Sequence, residues 1–120
     1  MTSPFGELLR KYRESSKEPN SSKRLTQQRF GELIGEELGI FVGYSGAAVS
    51  DWERGESVIH HNDRPVLAAI VKVLYACGGI ATIPNANELL EAGNYKNLDA
   101  TELKRIFPKQ LVDEEINSSV

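Results

Sequence analysis

Tyr44-Ser45-Gly46-Ala47-Ala48-Val49-Ser50-Asp51-Trp52-Glu53-Arg54-Gly55 reads as one short helix with a marked start and a marked stop. Ser45 suits the N-cap, because its hydroxyl can accept from a backbone N–H left free in the first turn. Gly55 stands just past the last turn, where a left-handed residue commonly ends a helix. On a helical wheel Val49 and Trp52 share one face, and Ala47, Ser50, Asp51 and Arg54 fall on the other. The stretch is therefore a brief rod with two large apolar anchors behind and small or polar groups in front. A helix this short does not persist alone in water and must be propped by neighbours.

The prop lies just upstream. In Leu25-Thr26-Gln27-Gln28-Arg29-Phe30-Gly31-Glu32-Leu33-Ile34, Thr26 is the N-cap candidate. Phe30, Leu33, Ile34 and Leu38 then form the stripe of a half-buried helix that runs on to Leu38 and stops at Gly39. An N-capped helix opening Thr-Gln-Gln, a connection, and then Ser…Val-Ser-x-Trp-Glu-Arg-Gly resembles the helix-turn-helix of phage repressors, Cro proteins and the bacterial xenobiotic-response-element (XRE) regulators. Leu9-Arg10-Lys11-Tyr12-Arg13-Glu14 also matches the Leu-Arg-x-x-Arg-Glu opening of that family's first helix. Three segments match in order across roughly residues 5–77.

The resemblance implies an all-α, lambda-repressor-like domain: a compact bundle of about five or six short helices. Residues 1–79 form the helix-turn-helix domain, with the motif at about 26–55. Residues 80–108 form a helical extension packed on it, and 109–120 a flexible tail. The run from Gly78 through Leu90 resembles a segment that follows such modules in larger bacterial regulators and signalling proteins, so a further domain beyond the tail stays open.

Size and composition fit that expectation. The chain's 120 residues suit one core, and 40% hydrophobic with 26% charged residues are ordinary globular values. No apolar run is long enough to span a bilayer and no secretory h-region follows Met1, so a cytoplasmic protein without a membrane partner is expected. Cys77 stands alone, so it forms neither an internal disulfide nor a zinc cluster, and it reads as a small buried group. The net charge of −3 weighs against nucleic acid, since phosphate neutralisation supplies much of such affinity. Charge is unevenly placed, however: residues 10–29 carry a local +5, while Asp113-Glu114-Glu115 holds surplus acid. That balance predicts weak non-specific DNA affinity.

Around the motif, Ser3 and Pro4 suit the start of a first helix with Phe5, Leu8, Leu9 and Tyr12 on its apolar stripe. Lys17 to Arg24 reads as a loop with a mobile tip, longer than the family's turn. The connection between the motif's helices is also longer, and Ile40 and Phe41 are expected to dip into the core as a structural insertion. His60 and His61 read as solvated loop residues. Asp63 reads as the cap of a fourth, strongly apolar helix, with Pro65 in its first turn. Thr82 to about Ala92 and an Asp99-x-x-Glu102 capping box ahead of Pro108 give two more helices.

The family resemblance implies that the motif's second helix lies in the major groove of double-stranded DNA. Carried over, the base-facing residues are Gly46, Ala47, Ser50 and Asp51. Thr26, Gln27, Gln28, Ser45, Arg54 and Arg64 are the phosphate candidates. Apart from Arg54, the face has no Arg, Asn or Gln for a bidentate base contact, each worth roughly 1–3 kcal/mol of discrimination, so it should read sequence poorly. Phe30, Val49 and Trp52 are scaffold, and the resemblance pairs Arg13 with Glu53 as a partly buried structural bridge. Neither a nucleophile with its base nor a glycine phosphate loop is apparent, so catalysis, a metal or a cofactor is not expected. Two functions stay open. One is a DNA-binding transcriptional regulator, such as a repressor, that dimerises on two half-sites. The other is a degenerate helix-turn-helix module that binds a protein partner in a signalling, phage or defence system.

Overall fold

The computed structural model describes residues 3–40 and 42–110. Nearly every helix in it begins where a short polar side chain can take up a free N–H. Ser3 Oγ accepts from Gly6 N at 2.9 Å ahead of α1 (Pro4–Glu14), and Thr26 Oγ1 from Arg29 N at 3.1 Å ahead of α2 (Gln27–Leu38). Ser45 Oγ accepts from Ala48 N at 3.1 Å ahead of α3 (Gly46–Arg54). Thr82 does the same for α5 (Ile83–Ala92), and Asp99 with Glu102 forms a complete capping box on α6 (Ala100–Ile106). Gly39 and Gly55 close α2 and α3 in the left-handed conformation, with φ of 71° and 74°.

The start of α4 (Arg64–Ala76) departs from expectation. Asp63 occupies the cap position, but its side chain makes no cap bond. A 3-10 turn over His61–Asp63 feeds the helix instead, with His60 Nδ1 accepting from Asn62 N at 3.1 Å and Pro65 in the helix's first turn. Both histidines are exposed, as a loop position requires.

The fold is an all-α helical bundle. Its core joins residues from each of α1 to α6, among them Leu9, Phe30, Val49, Leu74, Leu89 and Ile106, with Phe107 just beyond α6. α3 packs on both α1 and α2, α2 also packs on α4, α5 lies against α1, and α6 against α4. Cys77 is buried just beyond α4, and that burial pushes its thiol up from the usual value. No helix among the described residues is long and apolar enough to cross a membrane.

Two insertions differ from expectation. The Lys17–Arg24 segment is tied down: Lys17 and Arg24 form an antiparallel bridge, Glu18 N donates to Lys23 O at 2.8 Å, and Leu25 N to Ser16 O at 3.1 Å. Asn20 takes the left-handed turn at φ 60°, so the loop is a small hairpin rather than a loose strand of chain. In the other insertion Ile40 does not enter the core: it is 46% exposed, because the chain leaves α2 at Gly39 on its solvent side. Phe41 lies outside the described residues. Helical backbone resumes over 108–110, where Gln110 donates to Ala81 O at 3.0 Å, and the remainder of the expected flexible tail lies outside the described residues.

Candidate nucleic-acid interface

Two buried anchors fix the orientation of α3. Val49 is fully buried and Trp52 is 6% exposed, with the Tyr44 ring against the indole at 5.1 Å between centroids. The helix and its lead-in lie directly on neighbouring backbone. A Cβ on Gly31 of α2 would overlap the Tyr44 carbonyl oxygen, and one on Gly6 of α1 would overlap the carbonyls of Trp52 and Glu53. Only glycine allows that approach, so two positions without side chains set how closely α3 sits against α1 and α2.

A buried ion pair completes the clamp. Arg13 Nε donates to Glu53 Oε2 at 2.6 Å and Nη2 to Glu53 Oε1 at 3.1 Å, and both residues are buried. The third donor, Arg13 Nη1, reaches Leu25 O at 3.0 Å. This guanidinium therefore ties α1 to α3 and to the residue preceding the cap of α2. Gln27, expected on a phosphate, is drawn into the same network: its Nε2 donates to Glu53 Oε1 at 3.0 Å. Its side-chain amide helps hold the carboxylate, which leaves the backbone N–H groups of Gln27 and Gln28 as that end's donors, since they have no intrahelical acceptor and the Thr26 cap takes up only Arg29 N.

In front of the anchors, Ala47 and Arg54 are exposed, while Gly46, Ser50 and Asp51 are half-buried. Thr26, Gln28 and Ser45 are exposed beside them, so the first turns of α2 and α3 open on one continuous surface. The two helix starts are close at Gly46, where a Cβ would lie 3.3 Å from Gln28 N. Arg54 is not a free cation. Its Nη2 meets Asp51 Oδ1 at 2.8 Å and its Nη1 meets Glu56 Oε1 at 3.2 Å. Asp51 thus spends one oxygen on its own helix and is a poor acceptor for a cytosine amine, while Arg54 carries two carboxylates with it.

Arg64 does not face this surface. Its Nε and Nη2 hold both oxygens of Glu102 at 2.9 and 2.8 Å, and Nη1 and Nη2 reach the carbonyls of Lys96 and Asn97 at 2.8 and 2.9 Å. The expected phosphate contact is corrected to a structural tie between α4, α6 and the chain entering α6. The Arg64 guanidinium holds the Glu102 carboxyl below its usual range, against the opposing effect of burial.

Comparison with family models, curated proteins and solved structures finds no match to this chain. The functional reading therefore rests on its own residues. Those include two that the sequence left unassigned. Arg10 and Arg24 border an open cleft of about 420 Å³ together with Thr26, Gln27, Ser50 and Arg54, with the Arg13–Glu53 pair and Leu25 completing its wall. The +5 surplus over residues 10–29 was their signal, but only the fold brings Arg10 on α1 and Arg24 on the hairpin together beside the start of α2 and the face of α3.

Proposed function

We propose that the chain is a DNA-binding regulatory module of the helix-turn-helix type, related to the phage-repressor and XRE regulators, with α3 in the major groove of duplex DNA. The observation that carries this reading is the joint surface of α2 and α3: two helix starts on one exposed face, backed by Val49, Trp52 and the Arg13–Glu53 clamp. The first-turn N–H groups that the caps leave over, those of Gln27 and Gln28 on α2 and of Gly46 and Ala47 on α3, suit phosphate oxygens, together with the side chains of Thr26, Gln28 and Ser45. Ala47 suits a thymine methyl, and Ser50 can donate or accept at a base edge. Because Asp51 and Glu56 flank Arg54, sequence discrimination is modest and the phosphate contacts dominate.

The Asp51–Arg54–Glu56 cluster favours a second reading, a docking surface for a protein partner. Binding of the full chain to mixed-sequence duplex DNA over a salt series separates the two. DNA recognition predicts a steep, linear fall of log affinity with log salt. An absence of binding at low salt would select the protein-docking reading.

A further inference from the structure

The hairpin between α1 and α2 is ordered, cationic and placed beside the proposed DNA face, which a mere linker would not need to be. Its two legs are held by the Lys17–Arg24 bridge, and Lys17 N donates to Cys77 O at 2.9 Å, which anchors it to the end of α4. That arrangement delivers Arg24 to the rim of the cleft, opposite Ser50 and Arg54 of α3, with Thr26 and Gln27 of α2 also on the wall. Arg24 is exposed, and its side chain has no hydrogen-bond or ion-pair partner among the described residues. Arg10 stands at the same rim with its Nε on Glu14 Oε1 at 2.6 Å, which leaves the two Nη groups facing outward. Glu14 is shared by the two arginines: it bonds Arg10, and its carboxyl is held below the usual range first by that bond and also by the charge of Arg24, which leaves the pair one positive charge in excess of it.

We propose that the hairpin is a second DNA-gripping element, and that the cleft between it and α3 takes a phosphodiester of the strand bordering the groove, held by Arg24 and Arg10. The proposal rests on the reading of α3 as a groove-binding helix and adds contacts outside the helix-turn-helix itself. Its chemistry is that of a guanidinium, whose planar fork matches two phosphate oxygens, meeting an anion at the open end of a helix. The consequence is a footprint extended along the backbone, which compensates for a weak reader face with affinity that carries no sequence information.

The test measures the salt dependence of binding to mixed-sequence duplex DNA for the full chain, Arg24→Gln and Lys104→Gln. Lys104 is an exposed lysine of α6 outside the cleft and serves as a control of equal charge change. The Arg24 side chain has no hydrogen-bond or ion-pair partner among the described residues, so both variants should melt with the parent. Losing one phosphate contact lowers the log–log slope by about 0.9, so over a four-fold rise in salt the parent should lose affinity about 3–4-fold more than Arg24→Gln does. Lys104→Gln should keep the parental slope. A parental slope in Arg24→Gln, or equal losses in both variants, overturns the hairpin contact while leaving α3 as a DNA reader. Failure of the parent to bind overturns both.

Discussion

Replacing Arg13 with Leu should destabilise the protein far more than its position on a half-exposed helix suggests. Glu53 accepts three hydrogen bonds in the structure, two of them from Arg13, and is only 4% exposed. With Leu at position 13, the carboxylate keeps one neutral amide donor, Gln27, and the Leu25 carbonyl loses the donor Arg13 provided. Breaking a buried pair from one side in this way costs about 3–5 kcal/mol, because an uncompensated charge stays behind. For a domain of this size the melting midpoint should fall by more than about 10 °C. The assay is thermal and urea unfolding of the parent, Arg13→Leu, Glu53→Met and the combined Arg13→Leu/Glu53→Met. Replacing both partners with apolar groups removes the stranded charge, so the double variant should be more stable than Arg13→Leu alone. A midpoint for Arg13→Leu close to the parent's would refute the clamp, as would a double variant that loses the sum of the single effects.

Three other outcomes follow from the same geometry. Gly31→Ala should cost about 1–3 kcal/mol in urea melts, since its Cβ would overlap the Tyr44 carbonyl and push the lead-in of α3 off α2. Glu102→Gln should lower stability at neutral pH by about 2 kcal/mol, through loss of the charged bonds to Arg64. The folded carboxyl of Glu102 lies below the ordinary value of 4.5, so its contribution is full above that value and fades as pH falls through the folded one. The parent should therefore lose more stability than Glu102→Gln between neutral and about pH 3 in denaturant melts at each pH. Asp51→Asn removes a carboxylate from the proposed DNA face and loosens the hold on Arg54. It should tighten duplex binding and raise the salt slope by up to about one, and an unchanged or weaker affinity would count against that face.

What the sequence made legible was local. The caps at Ser3, Thr26 and Ser45, the stops at Gly39 and Gly55, and the apolar spacing that buries Phe30, Val49 and Trp52 all depend on residues within one or two turns. The Arg13–Glu53 pair spans 40 residues and was accessible only through family resemblance. What was illegible depended on where distant segments meet. Arg64 reads as a surface cation until Glu102, 38 residues later, is folded against it. Gln27 reads as a free amide until Glu53 arrives beneath it. Ile40 looks like a core residue by type alone, but its burial is decided by the direction in which the chain leaves Gly39. The hairpin over 17–24 carries loop residues throughout, and its order comes from backbone bonds to Ser16 and Cys77 that composition does not encode.

The joint face of α2 and α3 is tested most directly by titrating isotope-labelled protein with duplex DNA and following each backbone amide. Binding through that face predicts perturbed amides at Thr26, Gln28, Ser45, Ala47 and Ser50, with those of α5 and α6 unmoved. Perturbation confined to α5 and α6, or none at low salt, would contradict it.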